Sequence, residues 1–170
     1  REYEDKIETM MFPYSIVENQ AADLMRECTE KNIGFISMKP IAGGNIDDCT
    51  LAIKYIVNNP DCTIVIPGMG NEEEVRQNTC DEVFEPLTEE DKEKCAKIAK
   101  ELGSEFCRRC GYCAPCPQGI NIPQSFLFAN YKRKYGLGDW ATERYQAMSA
   151  SAKDCVKCGV CETRCPYELP

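Results

Sequence analysis

Two runs of cysteine, CRRCGYCAPCP at residues 107–117 and CVKCGVCETRCP at residues 155–166, decide the fold of the second half of the chain. They supply eight regularly spaced thiols: Cys107, Cys110, Cys113, Cys116, Cys155, Cys158, Cys161 and Cys165. Gaps of two residues let one loop place three sulfurs around a 4Fe–4S cluster. In two-cluster proteins a fourth cysteine, followed by proline, crosses to the other cluster. The second run has that spacing throughout, whereas the last gap of the first run is two residues instead of three.

The spacing predicts two 4Fe–4S clusters with crossed ligands. One cluster is expected on Cys107, Cys110, Cys113 and Cys165, and the other on Cys155, Cys158, Cys161 and Cys116. Zinc, which usually binds two separated C-x2-C pairs, is one alternative, and a single cluster with one run serving structure is another. Because ligation by cysteine alone leaves no iron open to substrate, the expected role is electron transfer.

Composition narrows the class of protein and its partners. The chain has 170 residues, a formal net charge of −8 and no histidine. The acidic balance argues against nucleic acid or an anionic membrane surface as a partner. Thirteen cysteines, eight of them in regular runs, predict a metal protein of a reducing, oxygen-poor cytoplasm rather than a secreted disulfide scaffold. The other five are expected to be small apolar fillers: Cys28, Cys49, Cys62, Cys80 and Cys95.

Residues 1–103 alternate strand-like and helix-like segments, which is the pattern of βαβ units around a parallel sheet. Apolar runs at residues 33–38 and 62–66 predict strands that are buried on both faces. Helical spacing recurs over one set of residues: Ala21, Leu24, Met25 and Cys28. Asn71 is placed to cap a further helix, and Thr88 to begin a last helix that stops at Gly103.

Three strands are too few for a closed sheet. The missing strands are therefore expected upstream in the full protein or on a partner chain, and Arg1 as the first residue favours a fragment.

Residues 104–170 place two helix-like stretches between the cysteine runs, separated by Gly136 and Gly138. One small helical core is expected from their larger side chains: Phe126, Leu127, Asn130, Tyr131, Trp140, Tyr145 and Met148. Arg108 and Arg109 would add positive charge beside the first run, unless they are simply solvated.

Three motifs together, MKPIAGG, IPGMGNEEEV and CGYCAPCPQGI, give the chain a family resemblance. It resembles the C-terminal part of the aldo/keto reductases, in their ferredoxin-containing branch. The resemblance implies an α/β fold: the C-terminal portion of a (β/α)8 TIM barrel over residues 1–103, then a small α-helical dicluster ferredoxin-like domain over residues 104–170. It places the sixth barrel strand at Phe12 to Ile16, the seventh at Ile33 to Met38 and the eighth at Thr63 to Ile66.

The resemblance also implies a site for NAD or NADP at the carboxyl ends of the last two strands, where barrel sites lie. Its expected contacts are Met38, Lys39, Pro40, Ile41, Gly68, Met69, Gly70, Asn71 and Asn78. Met38 stands where many members have an aromatic, and Met11 where a glutamine is expected. Glu74 stands where a cation usually meets the 2′-phosphate of NADP, and its charge would disfavour that phosphate.

The resemblance implies an oxidoreductase in which the clusters pass electrons to or from a redox site at the barrel mouth. The catalytic set of the family lies in the half of the barrel that this chain lacks, so no catalytic residue is expected here. A flavin or a partner ferredoxin would be needed to link the one-electron chemistry of the clusters to two-electron hydride transfer. The expected partner is a redox protein or a small-molecule substrate. The alternatives are a non-catalytic electron-transfer subunit that uses the barrel remnant for docking, and clusters that are purely structural.

Overall fold

Strands and helices alternate along the first part of the chain, as the sequence pattern predicts. The elements in chain order are β1 (Thr9–Pro13), α1 (Ala22–Glu30), β2 (Gly34–Met38), α2 (Cys49–Val57), β3 (Ile64–Ile66), α3 (Glu72–Thr79) and α4 (Glu89–Leu102). The strands form one parallel sheet in the order β1-β2-β3. The α/β class with a parallel sheet is therefore confirmed.

The structure, a computed structural model, describes residues 4–102 and 107–169. The chain divides into two compact units, residues 1–103 and residues 104–170. The helix end predicted at Gly103, the domain boundary beside it, and Arg1 and Pro170 at the two ends lie outside the described residues.

The first strand does not lie where the sequence places it. Phe12 to Ile16 was the expected strand, but β1 covers Thr9–Pro13. Beyond Pro13, the backbones of Ser15 and Glu18 exchange two hydrogen bonds, at 2.9 and 3.2 Å between N and O. The N–H of Tyr14 still donates to the carbonyl oxygen of Met38 at 3.2 Å, and the pairing that follows places the buried Ile16 in a turn rather than in a strand. The other two strands begin one residue later than expected, at Gly34 and Ile64.

One face of the sheet is covered by helices. Phe35 is fully buried on this face, and the buried side chains around it are Tyr14, Ala21, Met25, Cys28, Ile33 and Ile56. Ser37, the next residue of β2 on the same face, satisfies its hydroxyl by donating to the carbonyl oxygen of Tyr14 at 2.9 Å. The core of the first unit therefore lies between β2 and helices α1 and α2.

The other face of the sheet is exposed in this chain, so the burial of the strands that the sequence predicts on both faces is seen here on one face. Met11, Ile36 and Ile64 lie in register on this face, followed by Met38 and Ile66. Met11, Ile64 and Ile66 are 51%, 49% and 42% exposed. The runs were read as doubly buried because they are continuously apolar, but no described residue of the first unit covers this side.

The two helix starts that the sequence predicts are confirmed. The side-chain oxygen of Asn71 accepts from the backbone N–H of Glu74 at 2.9 Å and caps α3. Thr88 and Asp91 exchange two hydrogen bonds, at 3.1 and 3.0 Å, which form a capping box at the start of α4. Each contact satisfies backbone donors that the first turn of a helix leaves without partners.

The second unit is built on two helices, α5 (Ile122–Lys134) and α6 (Gly138–Gln146), with a short α7 at Val160–Thr163. Trp140 packs edge-on against Phe128 and Tyr131, with ring centroids 6.1 and 5.7 Å apart. The predicted helical core was wrong in part, because Phe126 and Trp140 are exposed. Phe128, which the sequence analysis omitted, is buried instead.

The five cysteines outside the runs are free thiols in the first unit. Cys28 and Cys95 are buried, and Cys49, Cys62 and Cys80 are half-buried. Burial raises the pKa of the Cys28 and Cys95 thiols. Raised values favour the neutral form, in keeping with their expected use as small apolar side chains. Within the described residues, no helix has the length and apolarity that crossing a membrane requires.

Candidate metal centre

The two cysteine runs follow the same backbone path. In the first loop Arg109 and Gly111 have positive φ angles of 59° and 85°, and at the corresponding positions Lys157 and Gly159 have 55° and 73°. Left-handed backbone costs energy for a residue with a Cβ, and its appearance at matching positions shows that the loops are built alike. Each loop therefore adopts the left-handed backbone conformation twice between its first and third cysteine.

Each loop also directs a backbone N–H toward its first sulfur. The N–H of Arg109 donates to Sγ of Cys107, and the N–H of Lys157 donates to Sγ of Cys155, both at 3.4 Å between N and S. A donor at this position stabilises negative charge on sulfur. The contact therefore suits a thiolate or a metal-bound sulfur better than a neutral thiol.

A first cavity of about 50 Å³ is enclosed by the first loop and the C-terminal segment of the second run. The cysteines that line it are Cys107, Cys110, Cys113, Cys161 and Cys165. Its apolar walls include Ile122, Phe126 and Leu169. All four cysteines that the sequence assigns to one cluster thus line this cavity.

A second, larger cleft of about 830 Å³ lies between the second loop and helices α5 and α6. The cysteines that line it are Cys116, Cys155, Cys158 and Cys161. Ile120, Phe128 and Val156 contribute to its apolar wall. These four cysteines are the set that the sequence assigns to the other cluster, and Cys161 lines both cavities.

The last cysteine of each run lines the cavity that is also lined by the first three cysteines of the other run. Cys165 lies with the first run and Cys116 with the second, although each is distant in sequence from the loop it joins. Within residues 4–102 and 107–169, no group of three or more Cys, Asp or Glu side chains could hold a single metal ion.

Burial raises the pKa of the Cys107 and Cys113 thiols. The N–H of Arg109 opposes the increase at Cys107, while Cys107 itself adds to the increase at Cys113. Because a cysteine must be a thiolate to ligate a metal, metal binding at this cavity would release protons and would be favoured by a rise in pH.

The two arginines of the first loop have different environments. Arg108 is buried, and its guanidinium carbon lies 4.0 Å from the ring centroid of Tyr167. Arg109 is exposed. Tyr167 was missed in the sequence analysis, although an aromatic directly after the last Cys-Pro pair could have indicated a contact with the loops.

The donor set fits 4Fe–4S clusters. Each cavity offers four predicted thiol ligands and one backbone donor to sulfur, and all-cysteine ligation is the usual chemistry of these clusters. Residues 106–170 match the family model of the 4Fe-4S dicluster domain. The second unit thus has the sequence of a dicluster domain as well as the two cysteine-lined cavities.

A solved structure is similar to part of the chain. An aldo-keto reductase from Bacillus halodurans, AKR11C1 in its holo form, is 20% identical, with a TM-score of 0.47. The similarity covers 61% of this chain and 49% of that protein, so it spans about half the length of the relative. The comparison with curated proteins finds no match.

The residues predicted to contact a nicotinamide cofactor lie in the first unit. Met38 ends β2 and is followed by Lys39, Pro40 and Ile41, while Gly68, Met69, Gly70 and Asn71 connect β3 to α3. Since β2 and β3 are parallel neighbours, both loops leave the same edge of the sheet. Asn78 lies on α3, buried, with a side-chain oxygen that no described group bonds.

The backbone of these loops has two further features. Lys39 and Ala42 have positive φ angles of 56° and 50°. The N–H of Gly70 donates to a carboxylate oxygen of Glu74 at 2.6 Å, so Glu74 folds back over the loop.

Proposed function

We propose that this chain is the C-terminal part of an iron–sulfur oxidoreductase of the aldo/keto reductase type, with two 4Fe–4S clusters in residues 104–170. The proposed ligands are Cys107, Cys110, Cys113 and Cys165 for the first centre, and Cys155, Cys158, Cys161 and Cys116 for the second. The observation that supports this most is that Cys165 lines the cavity of the first run and Cys116 lines that of the second, while Cys161 lines both.

A 4Fe–4S cluster with four thiolate ligands supplies one-electron transfer when it is bound. The residues of this chain would set its environment. The N–H groups of Arg109 and Lys157 stabilise charge on sulfur, and the apolar side chains of α5 keep water from one side of each cavity. Both effects adjust the potential at which a centre accepts an electron.

The first unit would belong to a (β/α)8 barrel completed by strands that this chain lacks, on the same polypeptide or on a partner. Its support is the parallel order of β1, β2 and β3 together with the open apolar face. An exposed face of this kind is expected to be covered by further protein. The motifs MKPIAGG and IPGMGNEEEV give the resemblance to aldo/keto reductases in this region.

A nicotinamide cofactor would bind across the loops that follow β2 and β3. The parallel strands bring both loops to one edge of the sheet. Asn78, on the helix that follows the second of these loops, has a buried amide oxygen that no described group bonds. Glu74 would disfavour the 2′-phosphate of NADP, because its carboxylate already accepts the N–H of Gly70 and would repel a second anion. The proposal is therefore binding of NAD in preference to NADP.

The test is reduction of the clusters by nicotinamide, without oxygen, in the protein that contains the complete barrel. Bleaching of the visible iron–sulfur absorbance by NADH, and less by NADPH, is the expected result. A variant with Cys155→Ser and Cys158→Ser should lose part of the bleaching but keep cofactor binding. If dithionite bleaches the clusters and neither nicotinamide does, the chain is better described as an electron-transfer subunit. If dithionite does not reduce the clusters either, their role is structural.

A further inference from the structure

The two cysteine loops differ at the position directly after the first cysteine. Arg108 follows Cys107, and Val156 follows Cys155. Arg108 is 8% exposed, whereas Val156 is 61% exposed. The next position does not distinguish the loops, because Arg109 and Lys157 are both exposed cations. The first loop therefore has a buried positive charge where the second has an apolar side chain in solvent.

Arg108 lies in the wall of the first cavity. It lines the same space as Cys107, Cys110, Cys113 and Cys165. Its guanidinium stacks on Tyr167, two residues beyond Cys165, at 4.0 Å from the ring centroid. Arginine keeps its charge at every pH relevant to a protein, and a planar contact of this kind limits its movement. The charge is thus permanent, buried and close to the predicted ligands.

We propose that Arg108 raises the reduction potential of the first centre and leaves that of the second nearly unchanged. The inference rests on the proposed function, because it requires a cluster in each cavity. Accepting an electron adds one negative charge to a centre, and a buried cation stabilises the more negative state. The effect is selective because the second loop has Val156 in the place of Arg108.

Other charges near the first cavity act differently. Glu162 lines both cavities and is exposed, so its effect is screened and shared by the two centres. Arg109 has the same charge as Arg108 but lies in solvent, where screening weakens it. Arg109 is therefore a matched control of equal formal charge on the same loop.

The test is a potentiometric titration without oxygen, followed by electron paramagnetic resonance, on the full chain with its clusters. A parent with Cys155→Ser and Cys158→Ser identifies the first centre. Arg108→Gln should lower the ratio of reduced to oxidised first centre at a fixed potential by roughly tenfold, the scale of a charge removed from a partly buried site. The reduction potential of the second centre should not change. Arg109→Gln should not shift the potential of either centre by a comparable amount. Arg108→Lys, which keeps the charge, should stay closer to the parent.

The inference is overturned if Arg108→Gln shifts neither centre, shifts both equally, or shifts the first no more than Arg109→Gln does. If Arg108→Gln prevents cluster assembly, Tyr167→Leu decides instead. Losing the ring frees Arg108 toward solvent and should lower the first potential alone, while Tyr167→Phe keeps the stacking and the potential. No shift in Tyr167→Leu would overturn the inference. An unaltered chain that assembles fewer than two clusters would refute the proposed function before any potential is compared.

Discussion

The guanidinium of Arg164 donates a hydrogen bond to the backbone carbonyl oxygen of Pro115, with 3.2 Å between Nη1 and O. Pro115 directly precedes Cys116, and Arg164 directly precedes Cys165. The contact therefore joins the two runs beside Cys116 and Cys165, the two cysteines that cross over in the proposed ligand assignment. Together with the cavity linings, this contact indicates that Cys116 and Cys165 lie in one region of the second unit.

The crossed ligand sets predict which substitution removes which centre. In a background with Cys155→Ser and Cys158→Ser, about four irons per chain should remain, bound by the first centre. Adding Cys165→Ser should remove them, because Cys165 is the fourth ligand of that centre. Adding Cys116→Ser should leave them in place. Iron and sulfide analysis without oxygen measures the cluster content of both variants. If Cys116→Ser removes the remaining irons and Cys165→Ser does not, each run binds its own cluster.

The two glycines with matching positive φ angles are predicted to be equally sensitive to substitution. No atom lies within 4 Å of a Cβ built on Gly111 or Gly159, so the cost of alanine comes from the left-handed backbone alone. That cost is about 1–2 kcal/mol at each site. Chemical unfolding of the cluster-loaded chain should show similar losses for Gly111→Ala and Gly159→Ala.

Gly138→Ala provides the control for this pair. Gly138 also has open space around it but no positive φ, and it begins α6. The substitution should leave stability unchanged or raise it slightly, because alanine favours helix. A loss at Gly138 as large as at Gly111 would show that the left-handed conformation is not the cause.

A buried ion pair in the first unit predicts a dependence of stability on pH. Nζ of Lys54 on α2 lies 2.8 Å from Oδ2 of Asp91 on α4, and only 4% and 15% of the two side chains are exposed. The hydrogen bond from Lys54 lowers the pKa of Asp91 to about 2. Because the folded pKa is below the unfolded value of about 4, the stabilisation is complete above pH 4 and is lost as pH falls toward 2.

Asp91→Asn should lower the urea midpoint at pH 7, because it leaves the ammonium of Lys54 buried without its counter-ion. The difference from the parent should shrink between pH 4 and 3. Glu90→Gln is the matched control, since Glu90 pairs with Lys94 at the same 2.8 Å on α4 but in solvent. An equal decrease of the urea midpoint in both variants would show that burial of the Lys54–Asp91 pair does not increase its contribution to stability.

Much of the cysteine site could be predicted from the sequence, because ligand spacing is a local property. The gaps around Cys107 and Cys155 predict loops that direct three sulfurs to one side, and the proline after Cys165 indicates the crossing. Helix caps are local in the same way, and Asn71 and Thr88 were correctly assigned. Each of these depends on contacts within a few residues.

Properties that depend on distant contacts could not be predicted. Lys54 lies within an apolar helix, and only the fold shows that Asp91 meets it. The apolar residues of α5 are spread around the helix, so the sequence did not single out Phe128 as the buried one. Arg108 and Arg109 are neighbours of the same type, and nothing local indicates which of them is buried. The pairing of Ser15 with Glu18 likewise ended β1 earlier than its apolar run implied.

The most direct test of the central claim is the content of iron, acid-labile sulfide and zinc per chain, measured on protein purified without oxygen. Two centres predict about eight irons and about eight sulfides, with zinc absent. About four of each would mean that one cavity does not bind a cluster. Zinc without sulfide would contradict the iron–sulfur account of residues 104–170.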